Sequence, residues 1–307
     1  MKVRKFDIVV VGELNPDLIL SGNVIPEFGQ VEKLVNTAVL AIGSSSAIFA
    51  CGAARLGLRV AFIGNVGVDL FGKYMCQSLD EYGIDTRGIV EDKNTPTGIS
   101  VILSTGYDRA ILTYPGTIPR LEFSDINQEI IREARHLHVG SYFIQKSLHP
   151  GLSMLFDKAH EWGLSISLDT NFDPSGKWDD GLNQLLRKVD VFLPNALECQ
   201  GIAGTADLEL ALDYFQTRVK CLGLKLGKDG ALLCLGTKKY KTAPIRVAVT
   251  DTVGAGDSFD AGFIYGYLAG WEPERILKFA NICGGLSTRS PGGTAAQPSL
   301  EEAISYL

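Results

Sequence analysis

The chemistry this sequence can perform is concentrated in one run near its C-terminal end, Thr250-Asp251-Thr252-Val253-Gly254-Ala255-Gly256-Asp257-Ser258-Phe259-Asp260-Ala261-Gly262-Phe263. Glycines at 254 and 256 allow a tight turn and leave no side chain in front of the first amides of a following helix, so those N–H groups can face an anion. The apolar continuation through Ile264, Tyr265, Tyr267 and Leu268 supplies the helix, and the β-branched residues Ile245, Val247, Val249 and Thr250 predict a strand from Pro244 to Thr250 ahead of it. Asp257 then falls in the first helical turn, where a carboxylate can take a proton from a hydroxyl attacking a bound phosphoryl group. The blander use of the same residues is a glycine turn opening a core helix, with Asp257 complementing the helix dipole. A dinucleotide-binding turn is excluded by Phe259 at the place of the third glycine, and a P-loop by Gly72-Lys73-Tyr74, which lacks the closing Ser or Thr. His136, His138, His149 and His160 match no ligand or triad spacing, and no serine sits in a G-x-S-x-G elbow, so a hydrolase has no residues to stand on.

The whole run resembles the C-terminal signature of the PfkB, or ribokinase-like, carbohydrate kinases, D-T-x-G-A-G-D-x-F-x-x-G, at every fixed position. The resemblance implies ATP-dependent phosphorylation of a hydroxyl of a small sugar or sugar acid, with Asp257 as base and the amides of Gly254, Ala255, Gly256 and Asp257 as the anion hole. Gly43-Ser44-Ser45-Ser46-Ala47 leading to Ala53-Ala54-Arg55-Leu56-Gly57 is similar to the family's N-terminal signature, with two departures: the second glycine is Ser44 and the later asparagine is Ile48. An isoleucine offers no hydrogen bond, so the departure implies a substrate with an apolar edge or deoxy position facing Ile48, and makes free ribose a poor substrate.

Around these signatures the resemblance assigns further roles. Asn15 and Asp17, after the first strand, and Asn171 in Asp169-Thr170-Asn171 would grip sugar hydroxyls beside Gly43 and Ser44. Asn195 and Glu198, in the N-x-x-E element, would organise Mg2+ through water and the nucleotide phosphates. Lys225, Gly227 and Gly230 fall in the nucleotide-binding turn, with Asn281 in the closing segment, and the backbone around Asp251, Val253, Ser287 and Gly292 would hold K+. Asn195 and Glu198 also read as an N-cap and its capping-box partner. Arg109 could reach a phosphate or simply be solvated. A nucleoside kinase of the same fold, and a catalytically silent sugar-binding regulator, are the other functions open at this point; the intact Gly254, Gly256 and Asp257 argue against the regulator.

The elements that must position these residues follow from periodicity. Phe6 to Val11 reads as a central parallel strand buried on both faces. From residue 121 onward strands and helices alternate, which argues an α/β domain with a mostly parallel sheet and helices on both faces. A helix is expected from Leu121 to Ala134. Leu18 to Val39 and Thr97 to Tyr114 carry short alternating strands with no helical partners and predict a small antiparallel sheet projecting over the site as a lid. The expected organisation is one ribokinase-like domain spanning residues 1–307, its lid built from roughly 13–40 and 95–117. A homodimer through the lid is compatible with it.

Composition bounds the rest. The formal charge is −6 over 307 residues, with no basic run, which argues against nucleic-acid binding. Cys51, Cys76, Cys199, Cys221, Cys234 and Cys283 form no C-x-x-C pair, so reduced core thiols are expected rather than a zinc site. The apolar run Ile8–Val11 is too short for a signal peptide or a membrane span, which predicts a cytoplasmic protein without a membrane partner.

Overall fold

The apolar run at the start of the chain forms β1 (Ile8–Val11), buried at all four residues. Ile8 and Val10 enter one apolar cluster and Val9 and Val11 the other, because successive strand side chains point to opposite faces. In the computed structural model, which describes residues 4–106 and 108–307, the chain continues as β2 (Pro16–Ser21), β3 (Thr37–Ile42), α1 (Ser45–Arg55), β4 (Val60–Gly67), α2 (Leu70–Glu81), β5 (Asp85–Asp92), β6 (Ile99–Ser104) and β7 (Arg109–Tyr114). After α3 (Gln128–Arg132) come β8 (His136–Val139), α4 (His149–Glu161), β9 (Ser165–Leu168), α5 (Leu182–Leu185), β10 (Val191–Phe192), α6 (Ala196–Ala203) and α7 (Leu208–Gln216). The last third holds β11 (Cys221–Lys225), β12 (Ala231–Leu235), β13 (Lys238–Thr242), α8 (Ala255–Leu268), α9 (Pro273–Ser287) and α10 (Leu300–Ser305).

Nine strands form the main sheet in the order β13-β12-β11-β10-β9-β8-β1-β4-β5. Pairing is parallel from β11 through β5, and only β12 and β13 run antiparallel at one edge. Helices α1, α2, α8, α9 and α10 cover one face and α3 to α7 the other, each with its own apolar cluster. This is the α/β arrangement expected from the alternation, a mostly parallel sheet with helices on both faces, and the fold that the resemblance implied.

The second sheet has the order β3-β2-β6-β7. It is not purely antiparallel as expected: β2 and β6 pair in parallel, while β2–β3 and β6–β7 are antiparallel. Between β2 and β6 the chain passes through α1, β4, α2 and β5, and a crossover of that length can return in the same direction.

Two local expectations fail. Residues 244–250 form no strand. The segment is extended, with Ile245 and Val247 packed on the second apolar cluster, but it lies along α9 rather than beside another strand, and Thr250 donates its N–H to Thr288 O at 2.8 Å. The helix expected from Leu121 to Ala134 shrinks to α3 preceded by single 3₁₀ turns, because Asn127 caps α3 from within the segment. The cysteines are all free, as expected, and no described helix is long and apolar enough to cross a membrane.

Candidate active site

Strand order reverses at β1, which leads on one side to β4 and β5 and on the other to β8 through β11. Open α/β sheets bind ligands at the carboxyl ends of the strands beside such a reversal. A cleft of about 720 Å³ lies there, walled by the loops after β1, β8, β9, β10 and β11, by the turn before α8 and by the second sheet.

The glycine turn forms as its sequence demands. Gly254 caps α8 with φ 70°, and a Cβ there would lie 2.5 Å from Gly293 Cα and 2.9 Å from Ile48 Cγ2, so no other residue fits without displacing backbone. Asp251 braces the turn: its carboxylate accepts from Val253 N at 3.1 Å and from Gly292 N at 2.9 Å. Ala255 begins the helix, its N–H donating back to Thr252 O at 3.3 Å, and Ser258 N closes the first turn on Gly254 O at 2.9 Å, leaving the amides of Gly256 and Asp257 without helical acceptors. Asp257 is half-buried at the cleft floor, and its pKa is pushed up to about 8, first by withdrawal from water and then by the charge of Asp169, with Lys225 opposing.

At the opposite wall stand Asn15 and Asp17. Burial is the main cause of a pKa of about 7 for Asp17, with Arg109 working against it. Gly43 is what lets that carboxylate in, since a Cβ at 43 would lie 2.2 Å from Asp17 Oδ1. Ser44, at φ 66°, caps α1: its hydroxyl accepts from Ala47 N at 3.0 Å and donates to Glu13 O at 2.6 Å. Ile48 touches the cleft but is only 3% exposed, its branched end filling the space beside Gly254 and Gly293. Most of the side chain supports the glycine turn, and only its edge reaches the cleft. Asn171 holds φ 55°, and its amide donates to Ser45 Oγ at 2.5 Å and Ser141 Oγ at 3.1 Å.

At the far end Asn195 and Glu198 make the reciprocal capping box of α6, Asn195 N donating to Glu198 Oε2 at 2.9 Å and Glu198 N to Asn195 Oδ1 at 3.0 Å. Glu198 is 3% exposed, and burial followed by the charge of Asp169 raises its pKa to about 7. Asn195 and Glu198 both line the cleft, where a carboxylate and an amide at this spacing can hold Mg2+ through its waters. Gly227 lines the cleft. Gly230 does not: a Cβ there would lie 2.0 Å from Thr242 O, so this glycine serves the close approach of β12 and β13. Asn281 also lies off the cleft and donates to Ala243 O at 2.7 Å, tying α9 to the segment after β13. Ser287 donates within α9, to Gly284 O at 2.8 Å.

Lys225 lines the cleft as well, but its ammonium is held at the floor by two carboxylates, donating to Asp169 Oδ2 at 2.8 Å and Asp260 Oδ2 at 3.0 Å. Burial alone would raise Asp169, but the Lys225 charge overrides it and holds that carboxyl below its usual range. Burial and then Asp169 itself push Asp260 well above that range, against Lys225.

Sequence reasoning passed over several residues that belong here. Glu13 is buried at the N-terminus of α1, accepting from Ser46 Oγ at 2.6 Å and Ser141 Oγ at 2.8 Å. The Ser46 hydroxyl fits because positions 12 and 140 are glycine: a Cβ at either would lie within 2.5 Å of it. A charged residue directly after an apolar strand, as in Gly12-Glu13, was the available signal. Asp260 had one too, three residues after Asp257 and so on the same helix face. Arg109 reaches down from β7 to the turn, donating to Thr252 Oγ1 at 3.3 Å with Asp251 Oδ1 at 3.6 Å.

Comparison with known proteins places this geometry. The model of the pfkB family carbohydrate kinase matches residues 5–300. A 5-dehydro-2-deoxygluconokinase of Geobacillus thermodenitrificans is 28% identical, covering 99% of this chain and 94% of the relative. A 2-dehydro-3-deoxygluconokinase of Bacillus subtilis is 29% identical, over 92% of this chain and 90% of the relative. Among solved structures, a putative ribokinase II from E. coli in complex with ATP and Mg2+ superposes with a TM-score of 0.86 at 22% identity, covering 98% of both chains.

Proposed function

The chain belongs to the pfkB family of carbohydrate kinases, and on that premise we propose that it transfers the γ-phosphoryl group of ATP to a primary hydroxyl of a small sugar or sugar derivative bound between Asp17 and Asp257. The observation that carries this reading is the meeting in one cleft of Asp257, at the amide-lined start of α8, with the Asn15 and Asp17 pair on the facing wall. Asp17 and Asn15 hold neighbouring hydroxyls. Asp257 takes the proton of the attacking hydroxyl as its oxygen bonds to phosphorus and the bond to the leaving ADP breaks. The amides of Gly256 and Asp257 hold the phosphoryl oxygens as their charge is redistributed, and that of Ala255 can join them by releasing Thr252 O. Asn195 and Glu198 would hold Mg2+ through its waters, and the ion, when bound, supplies charge neutralisation at the phosphates.

In this reading residues 1–307 form one α/β domain, and the second sheet, roughly 13–40 and 95–117, is a lid that excludes water, with Arg109 latching it to the turn. The backbone around Asp251, Val253, Ser287 and Gly292 holds K+, supported by the way Asp251 ties the turn to Gly292; equal rates in K+ and in a bulky organic cation would count against it. Leu40 and Leu112 are exposed on the face of the lid opposite the cleft-lining Ile111 and supply an apolar surface for a homodimer, which light scattering tests against charged variants of these two residues.

One second reading has its own observation. Ile102, Ile111, Ile118, Ile144 and Phe172 line the cleft mouth and would suit the base of a nucleoside. ATP consumption across ribose, fructose, 2-keto-3-deoxygluconate and adenosine separates the two. A sugar used without adenosine turnover supports the first reading, a preference for adenosine supports the second, and no consumption with any polyol or nucleoside defeats both.

A further inference from the structure

Lys225 stands at the end of β11 and lines the cleft, where a basic side chain would ordinarily reach for phosphate, yet its ammonium is already engaged by two carboxylates of the floor. Its ammonium lies 2.8 Å from Asp169 Oδ2 and 3.0 Å from Asp260 Oδ2, and its side chain is 12% exposed. Asp169, Asp257 and Asp260 each bring a carboxylate oxygen to within 4.8 Å of the others, the spacing of a metal site. Oδ1 of Asp260 is buried without a hydrogen-bond partner, and Lys225 is the cation that its other oxygen meets. The three residues it joins come from three elements: Asp169 follows β9, Lys225 ends β11 and Asp260 is one turn into α8 beyond Asp257. Asp169 also accepts from Asn171 N at 2.9 Å, which ties the sugar-facing loop to the same cation. A Cβ at Gly256 would lie 3.6 Å from Lys225 Nζ, so the ammonium sits beside the first turn of α8.

We infer that Lys225 is a positioning residue: its ammonium is the built-in cation of the catalytic floor, standing where three carboxylates would otherwise call for a metal ion and fixing the first turns of α8 to the sheet. The inference rests on the reading of Asp257 as the base, because the turn being fixed is the one that presents it. Lys225 thus acts through Asp169 and Asp260. A lysine serving as a phosphate contact would depend on neither.

Three variants test this. Lys225→Met should lower kcat by about 10²-fold, the order of loss that follows a misplacement of about 1 Å in a catalytic group, with KM for the sugar changed less than about threefold. Without its cation the triad should bind Mn2+ in the absence of nucleotide, with a Kd at least about tenfold tighter than the unmodified protein by electron paramagnetic resonance. The double variant Lys225→Met with Asp260→Asn, which removes the orphaned carboxylate together with the lysine, should recover kcat at least about tenfold over Lys225→Met alone. Should Lys225→Met not fold, the double variant and Lys225→Arg carry the comparison, and Lys225→Arg should keep more activity than the double variant because it keeps the charge. Wild-type kcat in Lys225→Met, no gain in Mn2+ binding, or no recovery in the double variant overturns the proposal. Full activity in Asp257→Asn would instead remove the base, a distinct failure that leaves these lysine measurements unexplained by it.

Discussion

Replacing Gly254 by Ala tests the glycine turn at its tightest point. The backbone at 254 has φ 70°, a region that costs an L-residue about 1–2 kcal/mol. The new Cβ would also fall 2.5 Å from Gly293 Cα and 2.9 Å from Gly293 O, both backbone atoms, so either α8 or the 291–294 loop must give by roughly 1 Å to restore van der Waals contact. Strain and displacement together should destabilise the protein by about 2–4 kcal/mol and lower the melting temperature by about 3–6 °C at the entropy of a domain this large. The same displacement carries the first amides of α8 away from the phosphoryl group, and a shift of that size costs about 10²-fold in turnover. Gly256→Ala is the internal comparison. A Cβ there meets nothing closer than 3.6 Å, and alanine is the better helix former by about 1 kcal/mol, so its melting temperature should not fall. Differential scanning fluorimetry and steady-state kinetics on both variants decide it. A Gly254→Ala protein with unchanged melting temperature and kcat would refute the account of the turn.

Further expectations concern charge and approach. Gly43→Ala, whose Cβ would lie 2.2 Å from Asp17 Oδ1, should raise KM for the sugar by about tenfold or more while leaving nucleotide affinity unchanged; an unaltered KM would detach Asp17 from sugar binding. Because Asp257 must be ionised to accept a proton and its pKa is about 8, kcat/KM should rise as pH increases from 6 to about 8, and a flat profile over that range would contradict the role. Folding makes Asp257 bind its proton more tightly than the unfolded chain does, so its share of stability is whole only below the unfolded value of 3.8 and is lost progressively as pH rises to about 8. The melting-temperature difference between Asp257→Asn and the unmodified protein should therefore move in favour of Asp257→Asn from pH 5 to pH 9, and equal differences at both pH values would show that Asp257 is not held from water. Asn195→Ala removes the cap of α6 and should cost about 1 kcal/mol and raise the Mg2+ concentration needed for half-maximal rate; a Mg2+ titration that superposes on the unmodified protein would confine Asn195 to capping.

The parts of this molecule that were legible in its sequence are those where one residue type is obligatory. Gly254 and Gly43 have no substitute at their positions, and the continuously apolar β1 could only be a strand buried on both faces. The edge strands β5 and β13 carry no such signal, since solvent-facing edges are kept polar and charged, as Asp85, Arg87, Lys239 and Lys241 show. The segment 244–250 has the alternation of a strand but no partner strand, and partners are a property of topology rather than of composition. The site divides the same way. Asp257 and Asp17 were readable from their place after a turn or a strand. The inward course of Lys225 depends on Asp169 and Asp260, which are 56 and 35 residues away in sequence and meet it only in the fold.

The central claim is that Asp257 is the base of phosphoryl transfer, presented by an anion hole that does not need it. Its most direct test is turnover and nucleotide affinity in Asp257→Asn, measured side by side on the sugar that the substrate panel selects. The account predicts a fall in kcat of about 10²–10⁴-fold or more with the Kd for ATP changed less than about threefold. Near-normal turnover, or a loss explained wholly by weakened ATP binding, would contradict it.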